Sequence, residues 1–260
     1  VARRMAQPLI VVHAVEPLLA SAAQLQYGSD AVETTLRPEL DHFVTETLGT
    51  AAPRRLEIGA GDPASMLRGT ALALDAGLIV VGTQGVGRAG RLWFGSTTTR
   101  VLRETTRTVM AVPPGAATWS EADPEISDII VGTDFGDGAA AALGVADQLS
   151  KAFGAAVTGL HAVPEVAAPE RWSEIVTQAV EGRLREARAR MAETMPAQWA
   201  SDVRTGNAAQ VLVDAAAGRH ALIVVGLSGH APGHRPGTTA YRVLCDADAP
   251  VFAVPAAPAR

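Results

Sequence analysis

Leu78-Ile-Val-Val-Gly82-Thr-Gln-Gly85, with Gly95-Ser96 after nine intervening residues, decides how this chain reads. The aliphatic and β-branched run has the composition of a strand buried on both faces rather than a one-sided edge strand. Glycines begin where it ends. Gly82 and Gly85 permit dihedrals and a close ligand approach that a side chain would hinder, and Gly87 and Gly90 extend the permissive loop. Ser96 then opens Thr97-Thr-Thr-Arg-Val-Leu-Arg, a helix start whose free amides and hydroxyl can donate to an anionic oxygen. Arg88 and Arg91 add counter-charge. A lone glycine pair after an apolar run is usually a turn, but the ordered G-x2-G-x9-G-S pattern is one that can hold phosphate. The field of a helix start contributes only about 0.3–1 kcal/mol at exposed sites, so affinity would need many amides and a partly enclosed pocket. This is not a Walker loop, since no Gly-Lys-Ser/Thr follows the glycines.

The same arrangement recurs as Leu222-Ile-Val-Val-Gly226-Leu-Ser-Gly229 and Gly237-Thr238, with two fewer residues in the loop. Three further matches keep the same order: Val12-His-Ala-Val15 with Leu160-His-Ala-Val163, Gly61-Asp-Pro63 with Gly206-Asn-Ala208, and Val109-Met-Ala-Val-Pro113 with Val251-Phe-Ala-Val-Pro255. Ordered self-similarity of this kind reads as duplication of one structural unit. Repeat two opens with Asp128-Ile-Ile-Val-Gly-Thr-Asp134 and an Ala-rich helical stretch to Ser150, whereas residue 1 aligns near residue 149. The expectation is therefore that repeat one lacks its first strand and most of its first helix here, with residues 1–6 as that helix's tail.

Strands and helices alternate, which predicts an α/β fold of two tandem doubly wound, mostly parallel five-stranded sheets with helices on both faces. In repeat two the strands fall near 128–133, 156–162, 199–205, 221–226 and 250–254, and the helices near 137–152, 173–194, 207–217 and 238–245. Repeat one retains strands near 8–14, 54–60, 77–82 and 108–112. Its helix near 30–48 would bury Val32, Leu36, Leu40, Phe43 and Leu48, and the long helix of repeat two Trp172, Val176, Val180, Leu184 and Met191. Residues 1–114 form the first predicted domain and 127–258 the second. The Pro-, Gly- and acid-containing stretch 115–126 is the linker.

The 260 residues suit two domains that each bury a core. A net charge of −5 disfavours a general nucleic-acid role, and no apolar stretch approaches the 18 or more residues of a membrane span. One cysteine, Cys245, excludes an internal disulfide and fits a reducing compartment, so a cytoplasmic protein is expected. Cys245 has no nucleophile motif around it. His230 and His234 lie in a Pro/Gly loop without the helical geometry that would make a four-residue spacing a metal site. His13 and His161 occupy matched strand positions and read as neutral, locally hydrogen-bonded residues. Asp62 reads as a helix cap ahead of Pro63.

The duplicated Val/Leu-His-Ala-Val strands, Asp134, the G-x2-G-x9-G-S motif and the terminal Val-x-Ala-Val-Pro strands resemble the universal stress protein family in its tandem-domain, ATP-binding form. The resemblance spans essentially the whole chain and implies an adenine-nucleotide alpha hydrolase-like fold. It also implies ATP as ligand, with magnesium. In repeat one the family's ligand positions fall on Ala14, Gly82, Gly85, Gly95 and Ser96. In repeat two they fall on Thr133, Asp134, Ala162, Gly226, Gly229, Gly237 and Thr238, with Asp134 also the candidate metal ligand. The family further implies pairing of the terminal strands Thr108–Val112 and Pro250–Val254, and a homodimer or an unknown protein partner is compatible with it.

Repeat two departs from the pattern in its shorter loop, where Pro232 and Pro236 remove two amide donors and restrict the backbone, although Arg235 could face an anion. Hydrolysis needs a metal and an oriented water as well as a held nucleotide, and the sequence names no general base. Three functions are therefore weighed: an ATP-binding stress or signalling protein acting through conformation or partner contact, a slow metal-dependent ATP hydrolase, and a nucleotide-independent interaction scaffold.

Overall fold

The computed structural model describes residues 1–28, 30, 32–49, 54–83, 95–114, 116, 126–167, 169–227 and 238–256. Gly85, Gly229 and Gly237, the histidines and arginines of the two glycine loops, and nearly all of the expected linker lie outside the described residues. The chain divides into two compact units, Val1–Gly77 and Leu78–Arg260.

In the first unit, β1 (Leu9–Val15) pairs in parallel with β2 (Arg54–Ala60), from Leu9 opposite Arg54 to Val15 opposite Ala60. Between them run α1 (Pro17–Tyr27), a π-helical turn (Val32–Leu36) and α2 (Arg37–Leu48), and α3 (Pro63–Ala73) follows β2. Gly61, at φ 152°, turns the chain out of β2, and its amide donates to the Val15 carbonyl (3.0 Å). Asp62 then caps α3 by accepting from the Ser65 amide (2.8 Å), with Pro63 opening the helix. The expected stripe on the helix near 30–48 is only partly right. Val44 is buried, whereas Phe43 and Leu48 are exposed, because the inward row runs at spacing four through Leu36, Leu40 and Val44.

The second unit holds β3 (Leu78–Gly82), β4 (Thr108–Val112), β5 (Asp128–Gly132), β6 (Ala156–Val163), β7 (Ala200–Thr205), β8 (Ala221–Leu227) and β9 (Val251–Pro255) in one sheet of order β3-β4-β9-β8-β5-β6-β7. Its helices are α4 (Ser96–Glu104), α5 (Asp137–Phe153), α6 (Ser173–Thr194), α7 (Ala208–Ala216) and α8 (Thr238–Asp246). α5 packs on β5, β6, β8 and β9 and α6 on β6 and β7, while α7 and α8 touch each other and cover the central strands from the other face. Repeat two thus supplies a five-stranded parallel sheet, β7-β6-β5-β8-β9. Repeat one does not form a matching five-stranded sheet. Its β1 and β2 form the two-stranded sheet of the first unit, and β3 and β4 extend the other sheet to seven strands. The junction is an antiparallel pairing of β4 with β9, Val109 opposite Ala253 and Ala111 opposite Val251.

The identical Leu-Ile-Val-Val segments meet different surroundings. In β8 Leu222–Val225 are buried between β5 and β9, whereas β3 lies at the sheet edge and leaves Val80 50% exposed. The expectation of a doubly buried strand is therefore met by β8 and not by β3: composition was the same, and the flanking strand made the difference. In α6 Met191 and Ala187 are buried, Val176, Val180 and Leu184 half-buried, and Trp172, expected in the core, is half exposed at the helix start. Ile126, taken into the linker, is buried.

Gly206-Asn207 repeats the geometry of Gly61-Asp62. Gly206 has φ 134°, its amide donates to the Val163 carbonyl (3.0 Å), and the Asn207 side chain accepts from the Ala209 and Gln210 amides at 3.1 and 3.3 Å. Replacing Asn207 by Ala should lower stability by about 1 kcal/mol, measured by urea unfolding.

A tighter constraint lies where α5 starts against β8. A Cβ at Gly226 would stand 2.3 Å from the carbonyl carbon and oxygen of Gly138, and one at Gly138 would stand 2.9 Å from the Leu227 carbonyl oxygen. Gly226→Ala should therefore cost about 3 kcal/mol or more in urea unfolding. Gly144→Ala, in the middle of α5 with nothing within 4 Å of the new methyl, should stabilise by about 0.5–1 kcal/mol in the same measurement. Equal effects at the two positions would remove the backbone contact as the reason for glycine.

Candidate functional site

In repeat two the chain leaves β5 for β6 on one side and returns to β8 on the other, so the carboxyl ends of β5 and β8 part. Ligand crevices of open α/β sheets form at such a switch point. A pocket of about 230 Å³ lies there, lined by the ends of β5, β6 and β8 and by the first turns of α5, α7 and α8.

The end of β5 builds one wall. Thr133 is buried, and its amide donates to the Leu160 carbonyl (2.9 Å), which fixes it against β6. Its hydroxyl accepts from the Phe135 amide (3.0 Å), and Asp134 Oδ1 accepts from the Gly136 amide (2.9 Å). These two side-chain acceptors hold the turn that launches α5. Phe135 is left-handed, at φ 63°, a conformation that costs a bulky residue energy. α5 has no side-chain cap at its N-terminus, and α8 also begins at the pocket, with Thr238 and Thr239 exposed; both helix starts turn amides and dipole ends toward it.

On β6, His161 Nδ1 lies 2.8 Å from the Thr133 carbonyl oxygen. A carbonyl only accepts, so the ring's Nδ1 carries the proton and donates. The ring also meets that of Phe135, with centroids 4.6 Å apart.

Of the ligand positions expected in repeat two, Thr133, Asp134, Ala162, Gly226 and Thr238 all line this one pocket, and Gly229 and Gly237 lie outside the described residues. In repeat one, Ala14 belongs to the first unit, next to last in β1 and opposite Gly59 of β2. Gly82, Gly95 and Ser96 belong to the second unit. There the Thr83 amide donates to the Val112 carbonyl (3.0 Å), and the Gly95 amide to the Thr83 carbonyl (3.3 Å), which closes the base of the loop. The buried Thr98 hydroxyl donates to the Gly82 carbonyl (2.8 Å), tying α4 to the end of β3. The aligned position in repeat two is Ala240, which cannot make this bond.

Sequence reading missed His161 as a pocket residue, Phe135 as the strained turn residue, and the floor formed by Gly132, Gly138 and Leu212. Gly132 and Leu212 fit because a Cβ at Gly132 would come 2.8 Å from a Leu212 methyl. The signal was present in the spacing of Gly132, Gly136 and Gly138 around Asp134. Among the described residues, no group of three or more His, Cys, Asp or Glu could hold a metal ion, so a metal at Asp134 would need further oxygens from outside such a cluster.

A doubly wound sheet with a crevice at its switch point, built from a duplicated glycine-containing half, defines a tandem α/β protein of the adenine-nucleotide alpha hydrolase-like class. The family model described as the universal stress protein family matches residues 1–113 and 125–255. The chain belongs to that family, as a two-repeat member. Among solved structures it is similar to a universal stress protein from Archaeoglobus fulgidus DSM 4304 (17% identity, 98% of this chain and 90% of that chain, TM-score 0.64). It is also similar to a functionally unknown protein from Pseudomonas aeruginosa PAO1 (16% identity, 98% and 95%, TM-score 0.62). A universal stress protein in complex with cAMP matches over 51% of this chain and 99% of its own, at 22% identity and TM-score 0.37. No curated protein matches the chain significantly. No helix among the described residues is long and apolar enough to cross a membrane.

Cys245, on α8, is half-buried. Burial pushes its thiol above the ordinary range; a hydrogen bond with Tyr241 opposes this and the charge of Asp246 adds to it. The folded chain thus holds the thiol proton more tightly than the unfolded one. The associated stability is complete below the unfolded thiol's pKa and is lost as pH rises through the raised folded value. At pH 8 an aromatic disulfide reagent should label native Cys245 roughly tenfold or more slowly than it labels the urea-unfolded chain; equal rates would contradict the burial argument.

Proposed function

We propose that this protein binds an adenine nucleotide, ATP with magnesium, in the crevice of repeat two, and acts in a stress or signalling response through the conformation or partner contacts that the nucleotide stabilises. The reading is carried by the convergence of Thr133, Asp134, Ala162, Gly226 and Thr238 on one pocket at the sheet's switch point. The donor set suits the ligand. Asp134 supplies a carboxylate for a ribose hydroxyl or a metal ion. The Ala162 backbone supplies the edge that reads the base, and the first turn of α8 supplies hydroxyls and amides for phosphate. Asp134 would be the residue to hold magnesium, which would neutralise phosphate charge there.

Turnover is expected to be slow. Asp134 Oδ1 already accepts from the Gly136 amide, which supports reading the carboxylate as a ligand rather than as a base for water. In repeat one the same phosphate chemistry would fall to Gly82, Gly85, Gly95 and Ser96, with Thr98 bracing the loop base. The antiparallel pairing of β4 with β9 supports reading the two halves, 1–114 and 127–258, as partners within one chain.

Native mass spectrometry of the purified protein, before and after added Mg-ATP, tests this. One or two adenine nucleotides per chain are expected, and Asp134→Ala or Thr238→Ala should weaken binding to repeat two roughly tenfold in calorimetry. A chain that comes empty and retains no added Mg-ATP would sink the proposal in favour of a nucleotide-independent scaffold. Rapid ADP production lost in Asp134→Ala would favour the hydrolase instead.

A further inference from the structure

Three side chains from three elements stack behind the pocket wall. Arg190, on α6, places its guanidinium carbon 4.2 Å from the centre of the Phe135 ring, and the Phe135 ring in turn meets His161 of β6 at 4.6 Å. Phe135 also packs on the cluster of Val163, Ala187, Met191, Met195 and Val203 that joins α6 to β6 and β7. His161 closes the circuit by donating from Nδ1 to the carbonyl of Thr133 (2.8 Å). The residue held by this stack is the left-handed one, at φ 63°, and it sits between Asp134 and Gly136, the acceptor and donor of the turn.

A strained conformation persists only where its surroundings over-determine it. Here a cation–π contact on one side, a ring contact on another and the α6 core beneath all favour the same placement of Phe135. A slack Phe135 would relax toward ordinary dihedrals. The peptide planes on either side would turn with it, and the Asp134 carboxylate would leave the wall of the pocket.

We infer that Arg190, Phe135 and His161 are positioning residues: the stack holds the 133–136 turn in its left-handed form, sets Asp134 for the ligand, and so makes affinity at the crevice depend on the placement of α6. Arg190 bears on Phe135, which does not itself line the pocket, so this contact links α6 to the turn and, through it, to Asp134. The reciprocal also holds. A ligand that engages Asp134 stabilises the placement of α6 that the stack requires, by the same factor.

This inference rests on nucleotide binding at the crevice, and the experiment separates the two. Phe135→Leu probes the ring but also touches the core, so Arg190→Gln, at an exposed side chain, is the deciding variant. Mg-ATP affinity at repeat two, measured by calorimetry on the full chain with the repeat-one motif disabled by Ser96→Ala and Gly95→Val in every sample, should fall roughly three- to tenfold in Arg190→Gln. In an Asp134→Ala background the same change should cost less than about twofold, since the route through the carboxylate is already gone. A purely structural role would not produce that non-additivity. A ligand-free readout accompanies it: exchange of the Gly136 amide with solvent, by NMR, should quicken in Arg190→Gln.

If the parent chain binds Mg-ATP and Arg190→Gln binds it equally well, or loses the same factor with and without Asp134, the inference is overturned. If the parent chain binds no nucleotide, the functional reading fails and the Gly136 amide decides: faster exchange in Arg190→Gln supports the stack as the device that holds the turn, and unchanged exchange overturns it.

Discussion

The contact on which the second unit depends is backbone against backbone: the first turn of α5 lies directly on the end of β8, with Gly138 and Gly226 facing each other where neither can carry a Cβ. That approach draws the start of α5 to the level at which β5 and β8 separate. A few tenths of an ångström more between them would move the helix start and, with it, Asp134, whose side chain is tied to Gly136 two residues before Gly138. The crevice is therefore a consequence of close packing before it is a consequence of any ligand. Glycine at 226 has a structural reason that would hold in a protein that bound nothing.

Duplication shows what a segment owes to itself and what it owes to its neighbours. Gly61-Asp62 and Gly206-Asn207 form the same capped turn in both units, because a positive-φ glycine, a side-chain acceptor and the next two or three amides make a device that needs little beyond themselves. Leu-Ile-Val-Val is the opposite case. The four residues are sealed in β8 and partly open in β3, since burial on the second edge is supplied by whichever strand lies alongside. Identical sequence gave identical local structure and unequal burial.

The same division explains how much was legible beforehand. Every strand of repeat two, and the start of α4 at Ser96, followed from periodicity and glycine placement to within a residue or two, because those signals are local. Sheet membership was not local. That β3 and β4 would join the five strands of repeat two through β9 was expected only from the family resemblance, which pairs the terminal strands; residue composition alone does not encode which edges meet. The helix stripes were only partly right for a related reason: Phe43 lies off the inward row of Leu36, Leu40 and Val44, and Trp172 stands half exposed at the start of α6. Five of the pocket positions were legible from the family motif, whereas Phe135 was not, because its role comes from a backbone dihedral and from Arg190, 55 positions further along the chain.

The two glycine motifs are alike in sequence but not braced alike. In repeat one the loop base is closed by Gly95 on Thr83 and by Thr98 on Gly82, so a hydroxyl buried in α4 restrains the carbonyl at the end of β3. Repeat two has Ala240 in place of Thr98, and its strand end at Gly226 is met by the start of α5 at Gly138. A side-chain hydrogen bond is worth about 1 kcal/mol and can be broken by a modest rearrangement, whereas a backbone clash rises steeply with any approach. The floor of the repeat-two crevice is therefore stiff where Gly138 meets Gly226, and adaptability there is expected from the wall where Asp134 rides on a turn held by side chains.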